Sequence, residues 1–446
     1  MSKLRLPHPL VLLLGCVLVA AALTWVLPAG AYDRRDDSAT GRQVAVAGTY
    51  HAVPAAPVAL FAAAVGVVRG IVAAAEVVVL VLLVGGAWVV VDRTGTLAGA
   101  VGWLAVRFAR RRRLVIPIIA LAFAAGGALE GMQEEIIPLV PVLLVLASGL
   151  GFDAVTVMAM SAGAAVVASA FSPINPFQAG IALKVAQLPL LSMAGLRVGM
   201  LVVALVVFIW WTMRHAARHP VAAEATVAVS GKRLENRQLV ILALLTVPFA
   251  AYIVGVTWFD WGFNELSAAF MVFAFAAGLV GRLGLAGTVD AYFEGMRSVV
   301  GAAVMVGVAR AISLVLEDGR VIDTVLQALV VPLAQAPRLV GALLMVPVQV
   351  LVHIPVPSTS GQAVLTMPVM APLADLLGFS RDVAVLAFQV GAGLTELWTP
   401  TNGAMMALLL AAGVRYGDWL RFVIPVTLML TVIGIVGIVL ALGVPG

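Results

Sequence analysis

Long runs of apolar residues recur along most of the chain. A helix needs about 20 apolar residues to cross the hydrocarbon core of a bilayer. The seven predicted spans cover 9–28, 71–91, 191–213, 239–256, 266–280, 299–316 and 419–442. Of the 446 residues, 63% are hydrophobic and 11% are charged, so a soluble fold would expose apolar surface everywhere. The sequence therefore predicts an all-α, multi-pass membrane protein whose surroundings are the lipid bilayer.

Basic residues gather at the ends of the apolar runs. Two groups stand out: Arg107, Arg110, Arg111, Arg112 and Arg113, then Arg214, Arg218, Lys232, Arg233 and Arg237. Cytoplasmic loops carry such an excess of positive charge, and Lys3 and Arg5 place the N-terminus in the cytoplasm by the same rule. This placement, rather than nucleic-acid binding, accounts for the net charge of +5.

Known enzymatic and redox motifs are missing from the sequence. There is one cysteine, Cys16, and no His-Glu-x-x-His, Gly-x-Ser-x-Gly or Walker sequence. An enzyme or an ATP-driven pump is therefore disfavoured, and no organic cofactor is expected. A solute channel stays as an alternative, although it would need a continuous polar stripe along several helices.

An internal duplication relates the two halves of the chain. The motif at Asn175, Ser-Pro-Ile-Asn, corresponds to Thr-Pro-Thr-Asn at Asn402, an offset of 402 − 175 = 227. The same offset matches Leu-Gly-Phe at 150–152 with Leu-Gly-Phe at 377–379. We predict halves 1–213 and 239–446 joined by a cytoplasmic linker, 214–238. The charges of the loops orient the two copies in opposite directions across the membrane. This predicts inverted repeats, a recurrent plan of secondary transporters.

Two segments have the lengths of re-entrant helical hairpins. The first has arms 114–128 and 136–147 around a tip at 129–135, and the second has arms 339–354 and 363–376 around a tip at 355–362. The returning arms are shorter than the about 20 residues of a full span. Polar, Gly-containing or Pro-containing tips suit unwound backbone, which is tolerated at membrane depth when it lines protein or water.

Each half also contains one interrupted helix, broken at Pro173 and at Pro400. Proline removes a backbone donor and breaks the helical hydrogen-bond ladder. Half-helix ends can attract anions, and their carbonyls can join Asn or Thr oxygens around a cation. We predict a solute site at the two breaks, with Na⁺ near Asn175 and Asn402 as one form of the coupling ion and H⁺ as the other.

Acidic residues cluster at the first hairpin tip. Glu130, Glu134 and Glu135 could bind an ion, carry a proton or pair with an amino group, and a solvated surface cluster is the competing interpretation. Glu396 adjoins the second break. Glu76, Arg310 and His353 are weaker leads, since a structural ion pair or a snorkelling side chain explains each equally well. The second tip offers neutral hydroxyls at 358–360.

The stretches 126–135, 175–177, 357–368 and 400–401 resemble the YfcC/DcuC-type carriers of the ion transporter superfamily, and the likeness covers nearly the whole chain. The resemblance implies an elevator-type carrier in a bacterial inner membrane. A transport part, about 114–190 and 338–415, would move a small organic solute against a scaffold that forms a homodimer. The site residues it implies are Gly131, Glu134, Glu135, Asn175, Ser358, Thr359, Ser360, Thr401 and Asn402, with Glu130, Gln133, Gln362 and Glu396 as secondary candidates.

Two departures leave the solute open. Gln133 stands where the family pattern has a second glycine, and the first break lacks the Ser-Asn-Thr signature of dicarboxylate carriers. A C4-dicarboxylate and an amino acid therefore fit equally well, coupled to Na⁺, to H⁺ or to exchange.

Overall fold

The computed structural model describes residues 8–37, 42–97, 99–100, 103, 112–221, 234–259 and 261–443. Several charges used to orient the chain lie outside these ranges, namely Lys3, Arg5, Arg107, Arg110, Arg111, Lys232 and Arg233. The cytoplasmic position of the N-terminus therefore stays a prediction.

Helices dominate the described residues. In chain order they are α1 (Pro9–Val26), α2 (Leu60–Ala73), α3 (Ala75–Arg93), α4 (Val115–Glu130), α5 (Val140–Leu150), α6 (Ala154–Met158), α7 (Ala164–Phe171), α8 (Ile181–Val185), α9 (Ala194–Arg218), α10 (Asn236–Phe259), α11 (Phe263–Val280), α12 (Gly284–Asp318), α13 (Ile322–Leu333), α14 (Arg338–His353), α15 (Thr359–Leu376), α16 (Arg381–Phe388), α17 (Gly403–Ala411) and α18 (Tyr416–Leu442).

Eight segments of the described chain are long and apolar enough to cross a membrane. They are Pro9–Val26, Ala75–Arg93, Arg112–Glu130, Ala154–Val185, Ala194–Arg218, Phe263–Val280, Gly284–Asp318 and Tyr416–Leu442. This confirms the predicted multi-pass helical protein. Three details differ from the prediction. α12 has 35 residues and begins well before the predicted start at 299. Arg112–Glu130, predicted as a hairpin arm, is long enough to cross, whereas the predicted span 239–256 is not among the eight.

A small β-structure between α1 and α2 departs from the all-α prediction. β1 (Gly30–Ala31) pairs antiparallel with β4 (His51–Ala52), and β2 (Arg34–Asp37) with β3 (Arg42–Ala45). The Arg34 guanidinium contacts both carboxylate oxygens of Asp323, at the start of α13, at 2.8 Å. Strands of two to four residues carry no measurable alternation, so the sequence could not reveal them.

The first hairpin, here hairpin 1 (residues 112–150), has one long and one short arm. α4 ends at Gly131, whose φ of +72° is suited to glycine. A 3₁₀ turn, Glu134–Leu139, then leads into the 11-residue α5. The Arg112 guanidinium donates to the Leu150 carbonyl at 3.4 Å, so the two arms meet at their base.

The second hairpin, hairpin 2 (residues 338–377), has a longer returning arm than the sequence predicted. α15 begins at Thr359 rather than 363, with the Ser358 hydroxyl accepting from the Gly361 amide at 3.2 Å. The predicted unwound tip is wrong for residues 359–362, because Ser358 is a good N-cap and the helix starts directly after it. At the base, Gly341 lies against the Leu377 side chain.

The two hairpin bases lie at opposite ends of α9. Near its C-terminal end, His215 lies 3.0 Å from the Asp153 carboxylate, just after hairpin 1. Near its N-terminal end, Arg197 faces Asp382, at the start of α16 just after hairpin 2, at 3.5 Å. Because α9 is a 25-residue helix, the hairpins enter from opposite sides of the molecule.

Candidate functional site

The first helix break, break 1 (residues 172–175), is held by an asparagine cap. α7 ends at Phe171, and a π-helical turn, Pro176–Gly180, continues into α8. The Asn175 Oδ1 accepts from the amides of Phe177 and Gln178, both at 3.0 Å. Its Nδ2 donates to the Gly127 carbonyl at 2.9 Å and to Ser169 Oγ at 3.1 Å. Asn175 thus satisfies the free end of α8 and attaches break 1 to hairpin 1.

The second break, break 2 (residues 396–402), repeats this construction. A π-helical turn, Gln389–Gly393, precedes it and α17 follows it. The Asn402 Oδ1 accepts from the Met405 amide at 3.2 Å, and its Nδ2 donates to the Glu396 carbonyl at 3.0 Å. Ser169 and Glu396, the partners of the two asparagines, differ by the same 396 − 169 = 227 positions.

The turns that lead into the broken helices also match at this offset. Gly151 and Gly378 both have φ of +75°. The next residues, Phe152 and Phe379, donate their amides five positions back, at 2.9 and 3.1 Å. Positive φ at these positions favours glycine, which explains the repeated Leu-Gly-Phe sequence.

The hairpins pack on both broken helices. In hairpin 1, α4 packs against α7 of its own half, whereas the 3₁₀ turn and α5 pack against α17 of the other half. In hairpin 2, α14 packs against α16 of its own half, whereas α15 packs against α8 of the other. Each hairpin therefore joins the two halves.

Gln133 makes the direct contact between hairpin 1 and break 2. Its Nε2 donates to the Glu396 carboxylate, and its Oε1 accepts from Asn402 Nδ2 at 3.3 Å. The Gln133 amide also donates to Glu135 Oε2 at 3.1 Å. The family pattern has glycine at this position, and a glycine would lack the two side-chain bonds. In this chain Gln133 therefore links hairpin 1 to Glu396 and Asn402 of break 2.

A buried polar network fills hairpin 2. Gln362 Nε2 donates to the carbonyl and to Oε1 of Gln349, at 2.8 and 2.7 Å. Gln362 Oε1 lies 2.7 Å from His353 Nδ1. His353 Nε2 has no hydrogen-bond partner and faces Glu396 Oε1 at 3.9 Å. Gln362 is therefore a structural group inside the hairpin rather than a residue of its tip.

The glutamates of hairpin 1 face different neighbours. Glu134 lies close enough to Glu396 for their carboxylates to interact electrostatically. Glu135 lines a cavity of about 20 Å³ together with Tyr252 and apolar side chains of α3, α10 and α11. Glu130, at the last turn of α4, is partly buried. The structure brings Glu134 to break 2, whereas Glu135 faces away from it.

Hydroxyl groups at the other predicted positions bond mainly within their own segment. Thr401 Oγ1 lies 2.7 Å from Thr399 Oγ1, and Ser358 Oγ lies 3.5 Å from Ser360 Oγ. The residues 358–360 are partly exposed. Gly131 lies beside Asn175, since a Cβ there would be 3.1 Å from Asn175 Nδ2.

Further polar residues, overlooked by sequence reasoning, connect the breaks. Ser172 Oγ donates to the Ala128 carbonyl at 2.7 Å, and Gln389 Nε2 donates to the Ser172 carbonyl at 2.8 Å. Ser169 Oγ donates to Gln178 Oε1 at 3.0 Å. A polar residue buried in an apolar helix is the signal that could have found them. Within the described ranges, no three His, Cys, Asp or Glu side chains form a metal-binding group.

Comparison with known proteins gives consistent relatives. The family model of DcuC, the C4-dicarboxylate anaerobic carrier, matches residues 6–443. The putative basic amino acid antiporter YfcC of Escherichia coli K12 is 30% identical over 372 residues, covering 78% of this chain and 74% of that protein. An uncharacterized protein of Haemophilus influenzae is 25% identical over 485 residues, covering 96% and 95%.

Two solved transporter structures align along the chain. The YdaH transporter of Alcanivorax borkumensis has 18% identity and a TM-score of 0.44, covering 98% of this chain and 99% of that one. MtrF of Neisseria gonorrhoeae, from a class of antimetabolite efflux pumps, has 17% identity and a TM-score of 0.44, covering 99% and 96%. The family model spans nearly the whole sequence, which confirms the predicted relationship. The chain is therefore a membrane transporter and belongs to the DcuC family of C4-dicarboxylate anaerobic carriers.

Proposed function

We propose that this protein is a secondary transporter for a small solute that carries a positively charged amino group, with a basic amino acid as the favoured class. The observation behind this proposal is the charge of the site. Glu134 and Glu396 interact at the junction of hairpin 1 and break 2. Within the described chain, no Arg or Lys side chain lies within 4.0 Å of either carboxylate.

Carboxylates without an Arg or Lys partner are unsuited to binding a dicarboxylate. Two like charges at a buried site repel each other, and a third anionic group would add to that cost. An ammonium or guanidinium group would instead neutralise the site and donate charge-assisted hydrogen bonds to the carboxylates. The name of the YfcC relative, a putative basic amino acid antiporter, supports the same class.

Thermal stabilisation of the purified protein tests the solute class. L-Arginine, L-ornithine and L-lysine are compared with succinate, fumarate and malate, each with and without Na⁺. A ligand that binds only the folded protein adds about 2.7 kcal/mol at one hundred times its Kd. We expect a rise in melting temperature with basic amino acids only. A rise with the dicarboxylates alone would refute the proposal.

A matched pair of variants locates the binding group. Glu134→Gln removes the charge beside break 2 and should weaken binding by about 10- to 100-fold, the size of about 1.5–3 kcal/mol for a hydrogen bond to a charged group. Glu76→Gln is the control, because among the described residues this exposed carboxylate hydrogen-bonds only with Asn264, at 3.4 Å. Equal affinities of the two variants would exclude Glu134 from the site.

We further propose an inverted-repeat elevator with a transport part at about 114–190 and 338–415, a scaffold made of the remainder and assembly as a homodimer. The matching caps at offset 227 and the opposite entry of the hairpins support this arrangement. The boundary between the parts runs along α12 and α17, where a Cβ at Gly301 would lie 3.4 Å from the Leu410 side chain.

A disulfide across that boundary tests the sliding motion in a Cys16→Ala background. The pair Gly301→Cys and Leu410→Cys joins the two parts, and oxidation should abolish uptake reversibly. The control pair, Gly66→Cys and Val315→Cys, joins two scaffold helices. A Cβ at Gly66 would lie 3.0 Å from Val315 Cγ2. Uptake unaffected by the first crosslink would overturn the proposed motion.

A further inference from the structure

We infer that His353 and Glu396 share one proton, and that this proton is exchanged for the cationic solute during transport. This inference deepens the proposed function and rests on it. It starts from an unpaired nitrogen: His353 is fully buried, and its Nε2 has no hydrogen-bond partner. A buried polar atom without a partner is costly and indicates a function or an absent group.

The hydrogen bonds of hairpin 2 define the protonation of His353. Both N–H groups of Gln362 Nε2 donate to Gln349. The Gln362 atom next to the His353 ring is therefore Oε1, which can only accept a hydrogen bond. His353 Nδ1 must therefore be the donor. In the neutral ring, Nε2 then presents a lone pair rather than a hydrogen.

A carboxylate oxygen lies near this nitrogen. Glu396 Oε1 lies 3.9 Å away, about 1 Å beyond hydrogen-bond length. Glu396 Oε2 already accepts from Gln133, which leaves Oε1 for His353. Two acceptors that face each other repel, whereas one proton between them creates a hydrogen bond and makes the pair electrically neutral.

The charges around the pair support alternation between proton and cation. Glu134 of hairpin 1 lies close enough to Glu396 to interact with it electrostatically, and Glu130 and Glu135 lie on the same hairpin. Other titratable groups on helices packed against α14 have partners elsewhere: Asp323 with Arg34, Asp375 with Arg381, Asp382 with Arg197, Asp418 with Arg415 and Arg421, and Tyr416 with the Trp398 carbonyl.

A bare negative charge at Glu396 is therefore unfavourable, because Glu134 repels it and burial removes it from water. A proton on the pair relieves this cost when the site lacks solute. When a solute ammonium group arrives, it can replace the proton, which leaves for the open side. One proton and one cation thus exchange without net charge movement.

Proteoliposomes test the exchange. Radiolabelled L-arginine counterflow measures solute binding and translocation without any proton gradient, and a pH dye in the lumen reports proton movement. For one proton per arginine, a gradient of one pH unit should drive about tenfold accumulation, since tenfold corresponds to about 1.4 kcal/mol. His353→Gln should lose the accumulation and the dye response but keep counterflow. The exposed His51→Gln is the matched control and should keep all three.

The outcomes separate the two proposals. Absence of arginine counterflow in the wild type, with succinate counterflow instead, refutes the proposed solute class and with it the exchange. Arginine counterflow with accumulation driven by a Na⁺ gradient and not by a pH gradient overturns only the shared proton. Undiminished proton coupling in His353→Gln does the same. If His353→Gln does not fold, the wild-type dye response upon arginine addition decides, because the inference requires proton movement.

Discussion

Adjacent glycines in α4 allow a sharp test of how hairpin 1 is held. An alanine Cβ at Gly127 would lie 2.0 Å from the Ala165 carbonyl oxygen of α7. Ordinary C···O contacts are about 3.3 Å or longer, so α4 and α7 would have to separate locally by about 1.3 Å, the difference of the two distances. An alanine at Gly126 would instead meet the flexible end of Met132, with the nearest atom, Cε, at 3.0 Å.

Gly127→Ala and Gly126→Ala add the same methyl group and differ only in the atoms that this group contacts. Alanine in place of a helical glycine contributes about 1 kcal/mol of stability in both. Overpacking costs about 1–3 kcal/mol, and the rigid backbone contact at Gly127 belongs at the upper end of that range. We therefore expect Gly127→Ala to lower the free energy of unfolding by about 2 kcal/mol, and Gly126→Ala to leave it unchanged or raise it by up to about 1 kcal/mol.

Unfolding of the purified protein in detergent, followed by the fluorescence of its nine tryptophans, measures this difference. Uptake is measured in parallel, because the Gly127 carbonyl accepts the 2.9 Å bond from Asn175. Displacement of α4 should therefore reduce uptake in Gly127→Ala only. Equal stability of the two variants would refute the close approach of α4 and α7.

Three further predictions concern other parts of the molecule. Asn402→Ala should abolish uptake with normal expression, measured in cells, and wild-type uptake would exclude this residue from the site. Burial raises the pKa of Asp153, but hydrogen bonds from His215 and Thr156 outweigh it and leave the pKa below its usual value. Ionised Asp153 therefore stabilises the fold fully above the unfolded pKa of about 4. The stability advantage over Asp153→Asn in denaturation should shrink as pH falls below that value and through the lower pKa of the folded protein. Asp323→Ala should speed hydrogen exchange of residues 28–37 more than Arg34→Ala, because Asp323 also accepts from the Tyr32 amide at 3.0 Å.

The helical plan was predictable because its signals are long. Runs such as Tyr416–Leu442 far exceed what chance apolar composition gives, and the repeated Leu-Gly-Phe and Pro-x-Asn sequences marked the turns and the breaks. The start of α15 was misplaced because a serine such as Ser358 is equally compatible with an unwound tip and with the N-cap of a helix. The strands β1–β4 were missed because two to four residues carry no period.

The sequence indicated the segments that form the candidate site but not which residues bond to each other across it. Asn175, Asn402 and Glu134 were named from motifs, and they lie at or beside the breaks. The bond from Gln133 to Glu396 joins residues 263 positions apart, and no local pattern encodes such a pair. The different surroundings of Glu134 and Glu135 follow from the 3₁₀ turn, on which consecutive side chains lie about 120° apart, and their adjacency in sequence conceals this difference.

The repeated asparagines first satisfy the backbone. Breaking a helix frees amides at the new N-terminus, and at membrane depth no water replaces the lost bonds. The Asn175 side chain already accepts two amides and donates to two oxygens, so it has little capacity left for a solute. Asn402 caps one amide and extends to Gln133. Loss of Asn175 should therefore act through the shape of break 1, whereas loss of Asn402 also frees Gln133 and, through it, Glu396. Asn175→Asp, which keeps the cap acceptor, should accordingly rescue more folding than Asn175→Ala, and a failure to do so would show that its donor bonds to hairpin 1 matter more than its cap.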